Sequence, residues 1–305
     1  MFQPLFTRRF AVVTAASTWF LLVAGALVTS TGSGLSVPDW PLSYGQWMPP
    51  MVGGVFFEHG HRMVASTVGL LTVILAILVA KTETRRWVRV LSFTAVGMVV
   101  LQGTLGGLTV LLRLPPAVSV SHAFLGQSFF CVVTILAMAL TPSWRIEEYE
   151  VRPRERKLFW FSAVISAGFF LQLFLGASVR HLHAGLAIPD FPTVYNGWLP
   201  PVWNAQITFH FFHRIVAYVL FASSLFLILR IVSNERRDKA RVFLCVTWTG
   251  LLVLQIVLGA ATVLLRRPVA ITTAHLAVGA LCLVVSVLLS LRLGQMSGVL
   301  SRGEA

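Results

Sequence analysis

The chain reads as an all-α integral membrane protein, with eight transmembrane helices arranged as two parallel-repeat four-helix bundles. Three observations predict this. Composition comes first: of 305 residues, 56% are apolar and only 11% charged, with a mean hydropathy of +0.81, which is too apolar for a soluble domain. Second, eight apolar runs of bilayer-spanning length follow one another, at 10–29, 61–80, 89–112, 118–140, 158–179, 210–231, 241–265 and 270–293. Third, the second half of the chain repeats motifs of the first at a near-constant offset.

The first run follows Arg8 and Arg9. It is too long for the apolar part of a signal peptide, lacks an A-x-A cleavage site and has a counterpart later, so it reads as a span. The net charge of +13 would suit a nucleic-acid binder, yet the basic residues cluster in short segments between spans, which is a topology signal and excludes nucleic acid as the partner. With the N-terminus inside, every basic residue falls inside except Arg62, Arg113, Arg180, Arg214, Arg266 and Arg267. The positive-inside bias therefore predicts a cell (inner) membrane protein with both termini cytoplasmic. Cys131, Cys245 and Cys282 lie within separate apolar runs, so no disulfide framework is expected.

The duplication is specific. Gly34-Leu35-Ser36-Val37-Pro38-Asp39-Trp40-Pro41 returns as Gly185-Leu186-Ala187-Ile188-Pro189-Asp190-Phe191-Pro192. His61-Arg62 returns as His213-Arg214, and Gln102, Arg113, Pro115 and His122 return as Gln255, Arg266, Pro268 and His275. Four spans per copy is an even number, so both copies keep the same orientation and are related by an axis along the membrane normal. The expected organisation is an N-terminal bundle over 1–142, a cytoplasmic linker over 143–157 and a C-terminal bundle over 158–305. The long outer loops, 30–57 and 181–208, are rich in Pro, Gly, Trp and Tyr, with turn elements at Pro38-Asp39 and Pro189-Asp190, and read as caps over something buried.

All eight histidines fall on the outer side of this topology. Four recur, His61, His122, His213 and His275, within the first turns of spans two, four, six and eight. Each bundle thus presents two imidazoles at similar depth from different helices, the arrangement that holds an iron porphyrin from both faces. A lone histidine at a helix end is usually an interfacial or core residue, but four at repeated, paired positions favour ligation. Zinc fits less well, because neither half offers further donors at tetrahedral spacing apart from Glu58. Arg62, Arg113, Arg214 and Arg266 are candidates for the propionates, by charge-assisted hydrogen bonds, with snorkelling to headgroups as the plainer alternative.

Glu58 breaks the symmetry, because its repeat position is His210. On a helix, Glu58 and His61 share a face about one turn apart. An ionisable group at membrane depth is a functional candidate, and an acid beside only one of two equivalent centres suggests that one centre does chemistry while the other moves electrons. A helix-start role near the dipole is the alternative. His59 reads as a proton relay or an interfacial residue; His181 and His183 are given no role.

These motifs together, over essentially the whole chain, resemble the haem A synthases. They are Thr31-Gly32-Ser33-Gly34-Leu35-Ser36 with Pro38-Asp39-Trp40-Pro41, Glu58-x-x-His61-Arg62, and His122, His213 and His275. The resemblance implies an oxidoreductase that converts the C8 methyl group of haem O to a formyl group by successive hydroxylation and loss of water, making haem A for terminal oxidases. It implies that His61 and His122 hold the substrate haem O, that His213 and His275 hold a haem B cofactor that passes electrons, and that Glu58 assists at the reacting methyl. It further implies a haem O synthase as supplier and a quinol or other electron donor; a homo-oligomer is compatible with it. One departure stands out. Many bacterial members carry a cysteine pair in the first outer loop, where this chain has Val37 and Ser43, with Ile188 and Val194 at the repeat positions. The main competing reading is a non-catalytic dihaem b-type cytochrome relaying electrons from quinol. A transporter of parallel repeats is disfavoured, because the spans are polar mainly at their outer ends.

Overall fold

The computed structural model describes residues 5–144, 153–233 and 239–300. Most of the expected linker (145–152) lies outside the described residues, as do Arg145, Arg152, Arg236, Arg237 and Arg302 of the charge argument. Eight long helices run α1 (Leu5–Ser30), α2 (Gly54–Thr82), α3 (Arg86–Leu111), α4 (Pro116–Ala139), α5 (Pro153–His181), α6 (Ala205–Val232), α7 (Lys239–Leu264) and α8 (Val269–Met296). All eight contain segments long and apolar enough to cross a membrane. Among the described residues there is no strand, only isolated β-bridges inside the two long loops.

Helix ends follow local chemistry. Pro116 opens α4, where its missing N–H is no loss. The Asn204 side chain accepts the Ile207 N–H at 2.9 Å to cap α6. Both α3 and α7 end in two left-handed residues, Arg113 and Leu114 in one and Arg266 and Arg267 in the other. The Leu114 N–H donates back to Thr109 O and the Arg267 N–H to Thr262 O, which satisfies carbonyls the helix end would leave open.

The helices form two compact units, α1–α4 and α5–α8. In the first, α1 packs on α2 and α4, and α3 closes the ring between α2 and α4. The buried face of α1 carries Thr7, Ala11, Thr14, Ala15 and Thr18, small residues at helical spacing that let backbones approach closely. Their polarity is absorbed locally: the Thr14 and Thr18 hydroxyls donate to Phe10 O and Thr14 O. Phe20, Leu70 and Val100 point outward, as lipid-facing side chains should. In the second unit, α5 packs on α6 and α8, and α8 on α7, while α6 and α7 meet only sparsely. A buried ion pair, Arg241 Nη1 to Glu155 Oε1 at 3.0 Å, joins α7 to α5. The three cysteines are free and buried.

The principal difference from the sequence reading lies at α2 and α6. They begin seven and five residues before the apolar runs, so the loops span only 31–53 and 182–204. Hydropathy stops at Glu58 and His59 before α2 and at Gln206 and Thr208 before α6, but the backbone hydrogen-bond ladder does not. Consequently His61 sits in the third turn of its helix rather than the first, inside the bundle.

Candidate functional site

The four repeated histidines stand at the loop end of the units, one each on α2, α4, α6 and α8. Each ring is seated against a glycine of the preceding helix. A Cβ on Gly25 would lie 3.1 Å from His61 Cε1, one on Gly106 3.2 Å from His122 Cε1, one on Gly176 3.0 Å from His213 Cε1, and one on Gly259 3.1 Å from His275 Cε1. Ordinary carbon contacts are about 3.5–4.0 Å, so each glycine leaves room that any other residue would fill. The His61 and His122 rings lie within electrostatic reach of each other, as do those of His213 and His275.

In all four rings Nδ1 is buried without a hydrogen-bond partner. This nitrogen lies on the ring edge that meets the glycine, 3.5–3.7 Å from the Cβ position, so it belongs to the seat. Among the described residues no group of three or more His, Cys, Asp or Glu could hold a metal ion. The donor set therefore suits a group that takes one imidazole on each face, as an iron porphyrin does, and not tetrahedral zinc.

Glu58 is buried and holds the loop to the helix. Its Oε2 accepts the Val37 N–H at 2.9 Å and its Oε1 pairs with Arg62 at 2.8 Å. Arg62 donates onward to Asp39 O and Leu42 O. In the second unit His210 takes the same place: its Nε2 accepts from Arg214 Nε at 3.2 Å, and its other nitrogen lies 3.3 Å from the Ile188 N, since a neutral ring accepts at only one nitrogen. Arg214 also donates to Thr193 O and Ile188 O. Arg62 and Arg214 thus direct much of their donor capacity at the loops. Arg113 and Arg266 are exposed, at the ends of α3 and α7.

The loops repeat one turn. Asp39 accepts the Tyr44 and Gly45 N–H groups, and Asp190 accepts those of Tyr195 and Asn196 together with the Thr193 hydroxyl. These bonds hold the Asp39 carboxyl below its usual range, led by the Gly45 N–H. Burial raises the Asp190 pKa, but the bonds outweigh it and bring the carboxyl to about 2. Val37 and Ser43 are fully buried, and Ser43 Oγ lies 2.8 Å from His59 Nδ1. His59 Nε2 is buried with no partner. His183 is a left-handed residue starting a short 3-10 turn.

Two features escaped the sequence reading. One is a Gln-x-x-x-Gly pattern, at Gln102–Gly106, Gln172–Gly176 and Gln255–Gly259, whose glycines are three of the four imidazole seats. It was visible in the sequence as a repeat, but its meaning required knowing what the glycines face. The other is a pair of cations peculiar to the second unit: Arg180 where α1 has Thr29, and Arg267, whose stem packs on Gly185 as Leu114 packs on Gly34.

Fold and site together define a multi-pass membrane protein with a pair of neighbouring imidazoles in each of its two units. The model of a family described as cytochrome oxidase assembly protein, COX15-CtaA, matches residues 8–53 and 52–287. Among relatives, the protein named "Heme A synthase" of Shouchella clausii is 32% identical over 269 residues, covering 84% of this chain and 86% of its own length. That of Symbiobacterium thermophilum is 33% identical over 243 residues, covering 75% and 76%, and that of Alkalihalophilus pseudofirmus 30% over 255 residues, covering 82% and 83%. The chain belongs to the COX15-CtaA family.

Proposed function

We propose that this protein is a haem A synthase, an oxidoreductase that converts the C8 methyl group of haem O to a formyl group. Two successive hydroxylations take the methyl to a geminal diol, which loses water to leave the formyl group, a net four-electron oxidation whose electrons leave to an acceptor outside the chain. The family membership and the relatives' name support the reaction; the paired imidazoles on glycine seats support the haem sites.

In this reading residues 1–142 form the substrate half, where His61 and His122 grip haem O, and residues 158–305 form the half in which His213 and His275 hold haem B. When bound, haem B supplies electron transfer. The loop end faces the outside of the cell and the termini face the cytoplasm, as the positive-inside bias requires. Arg113 and Arg266 lie at the ends of their helices, where a guanidinium can meet a propionate or a headgroup. The substrate comes from a haem O synthase, and electrons pass to or from a quinol or other partner.

Glu58 is the residue we assign to the reacting methyl. The supporting observation is its replacement by His210 in the second unit: a neutral ring that accepts from Arg214, which in turn donates to Thr193 O and Ile188 O, accompanies the same tie of loop to helix, so the loop tie alone does not require a carboxylate. A carboxylate preorganised beside a reacting centre stabilises developing positive charge and accepts a proton. The test is Glu58→His, which copies the second unit's tie, alongside Glu58→Gln. Both variants should retain haem, while chromatography of extracted haems shows little or no formyl-bearing product. A normal yield of haem A from either variant removes Glu58 from the chemistry. A wild-type protein that carries haem but never forms the formyl group would instead support an electron-relay cytochrome.

A further inference from the structure

The two pairs are copies, but the imidazoles in them are not held equally. The Gln102 side-chain amide donates to the His122 carbonyl oxygen at 3.0 Å and lies 3.4 Å from the ring Nε2. Gln172 repeats this on His213 at 3.0 Å and 3.5 Å. Gln255 takes the same place beside His275: its Nε2 is 2.9 Å from where a Cβ on Gly279 would stand, as Gln102 Nε2 is 2.9 Å from that point on Gly126. Gly126 and Gly279 each follow their histidine by one helical turn, so the small residue makes room for the amide. The backbone of each of the three glutamines also interacts with the imidazole it serves.

The fourth seat lacks this device. Gly25, which receives His61, is preceded four residues earlier by Leu21. An isobutyl side chain has no donor, so nothing from this position can tie the His61 carbonyl. The three glutamines also leave Oε1 buried without a partner, an unfavourable arrangement in an apolar bundle. It recurs three times and is absent once, which marks the amide as placed for the histidine and not for packing.

We propose that Gln102, Gln172 and Gln255 are positioning residues that lock three of the imidazoles, and that Leu21 leaves His61 as the one that yields. The inference rests on the haem-site reading above. Groups behind a ligating histidine fix ring orientation and basicity; a histidine without them is displaced more readily. The N-terminal pair then has one firm face, at His122, and one face that opens, at His61, as a site that must take in substrate and release product requires. The C-terminal pair has two firm faces, suited to a resident group.

The test uses carbon monoxide as the probe on the purified, reduced, full-length protein, and reads the fraction of haem that binds it from difference spectra. Leu21→Gln should lower the reactive fraction and slow binding at the N-terminal site, by roughly the 10-fold or more typical of changes behind a ligating histidine. Gln172→Met keeps length and apolar volume but removes the donor. It should make the C-terminal site reactive, with an altered low-spin electron paramagnetic resonance signal, whereas a purely packing role for Gln172 would leave both unchanged. An unchanged reactive fraction in both variants, with haem content intact, overturns the inference alone. A colourless wild-type protein overturns the haem reading and the inference with it.

Discussion

Substitution of Gly176 by alanine tests the imidazole seats most directly. In a helix, Gly→Ala ordinarily stabilises by about 0.5–1 kcal/mol, because alanine loses less backbone entropy on folding. Here the added Cβ would stand 3.0 Å from His213 Cε1, 3.5 Å from Nδ1 and 3.9 Å from Nε2. The closest of these is well inside the usual carbon contact distance of about 3.5–4.0 Å, so the ring must shift by roughly half an ångström or more. Overpacking of this kind costs about 1–3 kcal/mol, and it falls on the haem-competent position of His213. At about 1.4 kcal/mol per tenfold change, Gly176→Ala should weaken haem retention in the C-terminal half by roughly 5- to 150-fold. The measurement is haem B per protein by pyridine haemochrome, followed through dilution into haem-scavenging apoprotein. Gly250→Ala is the control, since a Cβ there meets nothing within 4 Å; it should leave haem content unchanged and raise thermal stability slightly. If Gly176→Ala holds haem as tightly as wild type with the same spectrum, the seat does not position the imidazole and the ligand assignment of His213 is wrong.

Other outcomes follow from the same structure. His213→Ala should lose the haem B of the C-terminal half while the N-terminal half still takes up haem O, read as a drop in haem B per protein. Glu155→Gln removes the counter-charge of Arg241, whose side chain is only 1% exposed; breaking such a buried pair should destabilise the second unit by about 3–5 kcal/mol in detergent unfolding. The Asp190 turn should be sensitive to acid. Its carboxyl is held at about 2, below the usual 3.8, so its contribution is present in full above the usual value and is lost as pH falls toward about 2. Pepsin cleavage within 182–204 should therefore accelerate between pH 4 and pH 2, and Asp190→Asn should remove most of that dependence.

Much of this was legible in the chain itself. Continuous apolar runs of bilayer length have few alternatives to helices, because a backbone in lipid must satisfy its own hydrogen bonds. The eight spans, the duplication and the four repeated histidines are therefore properties of the residue order alone. Helix starts were less legible: the polar residues Glu58, His59, Gln206 and Thr208 ended the apolar signal, although the helical ladder runs on beneath them. The partners of Glu58 were also hidden. Spacing places it on the same face as His61, but its hydrogen bonds run to Val37 and Arg62, and the equivalence with His210 as a loop tie emerges only when both loops are folded back.

By itself, then, the sequence determined that this is a duplicated membrane bundle with an imidazole pair in each copy and an acid in only one. The tertiary structure alone decided what seats and ties those imidazoles. A glycine four residues after a glutamine is unremarkable along one helix; it becomes a ring seat with an amide behind it only when the neighbouring helix brings a histidine within contact distance, a fact of packing that no one-dimensional pattern contains.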